Sequence, residues 1–371
     1  MERWPLRVLM VMTSMNRGGM ETFTMNVYRA IDRTKIQFDF LLHRDFKGAY
    51  EDEINALGGR IYRVRRQNPL DPRYWAELDG FFAEHPYKVV HAQLDCLSAE
   101  PLAAAARHGV VVRVAHSHSS RQDRDLKYPL KMLFKPLISR YSTDLFACGE
   151  EAGKWMFGTN HFRVIRNCID VDDYTFDSAV RSETRRELGI KDGVPVVGHV
   201  GRFDPVKNHS FMLDIFAELL DQQPDAVLLL AGDGSLRPKM MKKAIELGIA
   251  DSVMFLGARS DVSRLMQAMD CFVMPSFYEG LPMVLVEAQA AGLPCLVSDV
   301  IPHDCDIRED SVKRESLKCG VDEWAAGIVR ACSSDADRSI GARAVRDAGF
   351  DSAEVAKSLE VFYMRGLQER K

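Results

Sequence analysis

Short apolar runs alternate with longer amphipathic stretches along most of the chain. Val8 to Met12, Phe38 to Leu42, Val89 to His91 and Val110 to Ala115 predict strands, and the segments between them carry helical spacing. After a loop around Asn167 and Asp170 the alternation restarts, with strands predicted at Val194 to Val200, Ala226 to Ala231, Val253 to Leu256, Cys271 to Met274 and Cys295 to Ser298. Strands separated by helices imply a parallel sheet, so the pattern predicts two successive α/β units. The charged segment from Asp172 to Lys191, with a helix pattern from Ser182 to Leu188, reads as the linker. The expected division is residues 1–175, residues 176–345, and a C-terminal helix over 346–371 that packs back towards the first unit.

Ligands of open α/β sheets bind outside the carboxyl ends of the strands, and two facing units would place a site in the cleft between them. Candidate residues should therefore follow strands. Gly18 and Gly19 follow the first strand, and His116-Ser-His118 closes the run from Val110. In the second unit Gly201-Arg202, Gly232-Asp-Gly234, Gly257 and the loop ending in Glu279-Gly280 each follow one.

Composition narrows the picture. A chain of 371 residues exceeds what one core usually serves, in agreement with two units. Net charge of −4 gives no drive towards nucleic acid, so any anion site must be local. The eight cysteines are scattered without a Cys-x-x-Cys pair or histidines at zinc spacing, and read as reduced thiols of the cytosol. The apolar run at Leu6 is too short for a signal peptide. Val284 to Val297 is shorter than the roughly 20 residues a spanning helix needs, and it contains Glu287.

Glu287 is the only charge between Gly280 and Ser298. Pro282 fits the first turn of a helix that Gly292 and Pro294 end. A carboxylate on so apolar a helix needs a partner. That partner is either an Arg or Lys from elsewhere or, one turn below the free amides of Met283 and Val284, the two hydroxyls of a ribose whose phosphate sits on the helix N-terminus. Glu279, in the loop before the helix, would reach a sugar beyond the diphosphate. Gly201-Arg202 to Lys207-Asn208 puts two cations in a loop suited to a diphosphate leaving group, or else simply to solvent.

Glu279-x7-Glu287, with Gly280-Leu281-Pro282 and the apolar helix between, resembles the signature of the retaining glycosyltransferases of family 4, enzymes of the GT-B fold with two facing Rossmann-like domains. The resemblance implies that Arg202 and Lys207 bind donor phosphates and stabilise the departing nucleotide, with Glu279 and His116 also at the reacting sugar. It further implies donor contacts from Gly18, Gly19, Gly232, Gly234, Gly257, Gly280, Leu281, Met283, Val284 and Glu287. His118 is the alternative to His116, and Glu21 can instead cap its own helix. Asn167-Cys-Ile-Asp170 resembles the family's interdomain Asn-Gly-Ile-Asp, with Cys168 in place of Gly.

The activity implied is transfer of a hexosyl group, with retention, from a UDP- or GDP-linked sugar to a glycan or lipid-linked acceptor in cell-surface polysaccharide synthesis. No metal is expected: the Asp-x-Asp pairs at Asp123, Asp170, Asp304 and Asp335 follow no convincing strand. Lys127, Lys131 and Lys135, beside Leu126, Leu130, Phe134 and Leu137, form a basic amphipathic pattern that either lies on anionic lipid at the inner face of the membrane or packs on its own domain. A GT-B sugar-nucleotide epimerase or hydrolase, and a non-catalytic sugar-nucleotide-binding protein, are the competing readings.

Overall fold

The computed structural model describes residues 5–119, 128–308, 310–333 and 337–370. The chain forms two compact units: Met1–Ile169 with Asp351–Lys371, and Asp170–Phe350.

The sheet of unit 1 has seven strands: β1 (Leu6–Met12), β2 (Ile36–Leu42), β3 (Ile61–Arg63), β4 (Val89–Ala92), β5 (Val112–Ser117), β6 (Asp144–Ala147) and β7 (Arg163–Val164). Their order is β3-β2-β1-β4-β5-β6-β7, and every pairing is parallel. Because side chains alternate along a strand, Val8, Met10 and Met12 enter one core while Leu9 and Val11 enter the other. The last helix, Ser352–Glu369, belongs to the first of these cores through Val355, Ala356, Leu359 and Tyr363. It is fastened at its start, where Ser352 N donates to Ile169 O (2.8 Å) and the Asp351 carboxylate accepts from Ala353 N (3.0 Å).

Unit 2 carries β8 (Val196–Val200), β9 (Val227–Ala231), β10 (Val253–Gly257), β11 (Cys271–Met274), β12 (Cys295–Ser298) and β13 (Val312–Glu315), in the order β10-β9-β8-β11-β12-β13. All pairs are again parallel. The order reverses at β8 and β11, which are neighbours joined by crossovers to opposite sides. That reversal opens a crevice at their carboxyl ends, the place where such sheets bind ligands.

The segment read as a linker is built into unit 2. It forms the helices Val171–Tyr174 and Ser178–Glu187, and Arg181 and Arg185 of the second both bind the Asp270 carboxylate, at 2.5 and 2.6 Å. In unit 1 the helix Tyr128–Tyr141 turns Phe134 and Leu137 towards the second core, and the Lys135 ammonium lies 4.3 Å from the Trp155 ring centre. Lys127 and Leu126 of the basic pattern, and Asp123 and Asp335, lie outside the described residues.

Candidate active site

The crevice of unit 2 is organised by the loop after β8. Asp204 caps the short helical turn Pro205–Lys207, accepting from Val206 N and Lys207 N at 3.1 and 3.3 Å, with Pro205 preset for the first position. Asn208 then takes a left-handed conformation (φ 54°), and its side-chain amide donates to Pro275 O at 3.1 Å. This ties the β8 loop to the β11 loop, as does Phe277 N donating to Val206 O at 2.8 Å. Lys207 is thereby aimed across the crevice, and its ammonium donates to Glu279 Oε1 at 2.6 Å. Only 18% of the lysine side chain and 11% of the glutamate's are exposed, so the pair is well shielded.

Arg202 behaves differently. Its side chain is 83% exposed and its contact with Asp204 is long, 3.4 Å. The two cations that the sequence grouped together are thus a shielded, paired lysine and an exposed arginine.

The turn after β9 supplies the floor. Gly232 (φ 147°) and Gly234 lie so close to the β8 loop that a Cβ on Gly232 would collide with the Gly201 carbonyl, and one on Gly234 would come within 2.6 Å of Phe203 O. Gly232 N donates to the carbonyl of Gly257 (2.8 Å), which ends β10 with φ 69°. Arg259 is held by Asp261 through two bonds of 2.7 and 2.6 Å.

The helix Met283–Ala290 starts at the edge of the same crevice, with Pro282 as its N-cap rather than in its first turn. Met283 and Val284 are its first residues, and Leu285 N is the first amide bonded back, to Pro282 O at 2.9 Å. Gly280 and Leu281 form the approach. Glu287 is half-buried, and burial pushes its carboxyl up to about 7 against a hydrogen bond from the Tyr174 hydroxyl. The expected partner of Glu287 within the protein is therefore a phenol and not a cation. Tyr174 was not legible: it lies in a separate short helix, with no local signal linking it to Glu287. Asp204 and Asn208 were more accessible, since Asp-Pro before a lysine is a cap signature.

On unit 1, Gly18 caps the helix Gly19–Ala30, and the Glu21 carboxylate folds back on it; a Cβ on Gly18 would lie 2.5 Å from Glu21 Oε2. Burial raises the Glu21 pKa, opposed by its own backbone amide. Gly19 has open space around it. His116 does not end its strand: β5 continues to Ser117, and the imidazole is buried on the face shared with the C-terminal helix. Its Nδ1 is 3.1 Å from His91 Nε2, and the His118 ring lies 4.1 Å away centre to centre. Burial holds the His116 pKa well below its ordinary value, helped by His118 and His91 and opposed by the Ile165 carbonyl. Burial likewise takes His118 down to about 4, opposed by Asn167.

Among the described residues no cluster of three or more His, Cys, Asp or Glu is arranged to hold a metal, and no helix is long and apolar enough to cross a membrane. A cavity of about 580 Å³ lined by Arg7, Tyr62 and Tyr87 lies at the opposite, amino-terminal edge of the unit 1 sheet, away from these residues.

Two successive parallel Rossmann-type sheets are the architecture of the GT-B fold, and the chain belongs to glycosyltransferase family 4, whose members have it. Residues 180–346 match the family model described as glycosyl transferases group 1, and residues 18–156 match the glycosyl transferase 4-like domain. The chain is 40% identical over 340 residues to the putative glycosyltransferase EpsF of Bacillus subtilis, covering 88% of each. It is 31% identical over 152 residues to the UDP-Gal:alpha-D-GlcNAc-diphosphoundecaprenol alpha-1,3-galactosyltransferase of Escherichia coli, covering 40% of this chain and 39% of that one. Among solved structures, Anabaena Alr3699/HepE in complex with UDP superposes with a TM-score of 0.79 at 20% identity, over 97% of this chain and 100% of that one.

Proposed function

We propose that this glycosyltransferase moves a hexosyl group, with retention of configuration, from a UDP- or GDP-linked sugar to a glycan or lipid-linked acceptor in the cytoplasm, during assembly of a cell-surface polysaccharide. The observation that carries the proposal is the shielded Lys207–Glu279 pair, whose glutamate lies four residues before the start of the helix that bears Glu287. In this reading Glu287 takes the ribose hydroxyls, the amides of Met283 and Val284 and the arm of Arg202 take the diphosphate, and Glu279 meets the sugar. Lys207 neutralises charge as the nucleotide leaves, so catalysis rests on electrostatic stabilisation of the leaving group and needs no metal. Gly232, Gly234 and Gly257 admit the nucleoside closely. Gly18, Gly19 and His116 of unit 1 complete the donor contacts.

Two relatives support the class of acceptor: the Escherichia coli enzyme is named for a diphosphoundecaprenol acceptor, and a Salmonella typhi relative for Vi polysaccharide biosynthesis. Contact with anionic lipid is proposed for the helix Tyr128–Tyr141, where Leu133 is 68% exposed. The test is a thermal-shift panel of nucleotide sugars, followed by product NMR to read the anomer. The proposal expects one nucleoside diphosphate and its sugar to stabilise the wild type and not Glu287→Ala. Equal stabilisation of both chains, or donor turnover to free sugar that no acceptor accelerates, would sink it.

A further inference from the structure

A buried chain of polar groups runs from the C-terminal helix to His116. Gly366 lets that helix approach β5 closely, since a Cβ there would stand 3.1 Å from Val112 Cγ2. One turn earlier, Tyr363 presents its hydroxyl 2.6 Å from His91 Nδ1, and His91 Nε2 lies 3.1 Å from His116 Nδ1. Tyr363, His91 and His116 are all within 1% of full burial. His116 Nε2, at the far end, is itself enclosed and has no partner in hydrogen-bond geometry among the described residues, although the Ile165 carbonyl acts on the ring.

Three hydrogens must be distributed along this chain, and only one distribution satisfies it. A buried phenol keeps its proton and must donate it, and among the described residues the one acceptor bonded by Tyr363 is His91 Nδ1. If His91 donated instead, the phenol hydrogen would be stranded in the core, and leaving a buried donor unmet is what folded proteins avoid. With Nδ1 accepting, a neutral His91 carries its hydrogen on Nε2 and donates it to His116 Nδ1. A neutral His116 then carries its hydrogen on Nε2.

We propose that Tyr363 and His91 are positioning residues that fix His116 as an Nε2–H donor, so that this histidine offers a hydrogen bond to an electronegative oxygen and cannot serve as a base there. The inference rests on the reading of His116 as a donor contact for its use, though not for the tautomer itself. An Nε2–H suits a hydroxyl or phosphoryl oxygen of a nucleotide sugar, and its direction is set by a relay that ends 272 residues away in sequence from His91. The C-terminal helix thereby acts on the site of the unit it packs into.

Nitrogen-15 NMR of the full-length chain, with His116 assigned by loss of its signals in His116→Gln, reads the tautomer directly. The expected result is a neutral ring protonated at Nε2 in the wild type, and a mixture of tautomers in Tyr363→Phe. In turnover of the nucleotide sugar identified by the thermal-shift panel, Tyr363→Phe should lower kcat by about tenfold, the worth of roughly one hydrogen bond, with KM for the donor unchanged. A wild-type His116 protonated at Nδ1 overturns the assignment whatever the kinetics, and needs no variant to fold. If the tautomer is Nε2–H but His116→Gln turns donor over like the wild type, the relay stands and the functional reading of His116 fails.

Discussion

At the scale of single residues, the crevice divides its charges by how well each is shielded. Lys207 is paired and enclosed, so replacing it by alanine removes a preorganised cation and also strands Glu279; kcat should fall by about 10²–10³, as for loss of an oxyanion donor. Because the two groups act as one, Lys207→Ala and Glu279→Ala combined should cost far less than the sum of the single losses in single-turnover assays, whereas additive losses would contradict a functional pair. Glu287 makes a prediction about pH. Its carboxyl is raised to about 7 by burial; in the proposed binding mode two ribose hydroxyls donate to it, and only the ionised form accepts fully at both oxygens, so binding donor favours loss of the proton below that value. Nucleotide affinity should rise with pH below 7, by up to about tenfold per pH unit, and level off above it, and calorimetry in buffers of different ionisation enthalpy should register the released proton. A flat profile in the wild type, or one unchanged in Glu287→Gln, would contradict this. Stability runs the other way. Glu100, buried in unit 1 with one oxygen bonded by Gln67 at 3.1 Å, is raised to about 8. For both glutamates the folded state holds a proton that the unfolded state gives up near the usual 4.3, so the stability they contribute is full at low pH and is lost as pH rises through 7 and 8. Glu100→Gln should flatten the fall in melting temperature over that range.

At the scale of elements, the glycines that resemblance grouped together part company once their surroundings are known. Gly232 and Gly234 are pressed against the β8 loop, whereas Gly19 and Gly280 have nothing within 4 Å of a new Cβ. Gly232→Ala should displace the loop that carries Arg202 and Lys207, costing more than about 1 kcal/mol of stability and most of the nucleotide binding, while Gly280→Ala leaves the fold as stable as the wild type. Chemical denaturation of the two variants checks the contrast. This difference marks what the amino-acid pattern can carry. The central strands, from Val8 to Met12 through Cys295 to Ser298, were legible because strands buried on both faces are continuous apolar runs. The edge strands β3, β7 and β13, and β6 next to an edge, were not, since short strands at or near an edge tolerate charge, as at Asp144 and in Lys313-Arg314-Glu315. Likewise Glu279 and Glu287 stood out by spacing within one segment. Tyr174 and the relay from Tyr363 did not, because contacts between distant elements leave no periodicity behind.

At the scale of the whole molecule, the order of the chain and the order of the structure disagree. Residues 351–371 come last, yet they belong to the core begun by β1: Tyr363 is fully buried there, and the helix is pinned to Ile169 at the point where the chain first leaves unit 1. Unit 2 is by contrast continuous from Asp170 to Phe350. A fragment of residues 170–350 therefore contains every strand of its sheet together with Lys207, Glu279 and Glu287, and should fold alone with a cooperative thermal transition. A fragment of residues 1–169 retains all seven strands of its own sheet but exposes the apolar face that Val355, Ala356, Leu359 and Tyr363 cover. Removing so much of one core costs several large side chains at about 2–5 kcal/mol each, comparable with the total stability of a domain. The fragment should melt without cooperativity, and recover a cooperative transition when residues 351–371 are joined to it through a flexible linker. Cooperative unfolding of 1–169 on its own, followed by circular dichroism, would show instead that the last helix is an addition to a unit already complete.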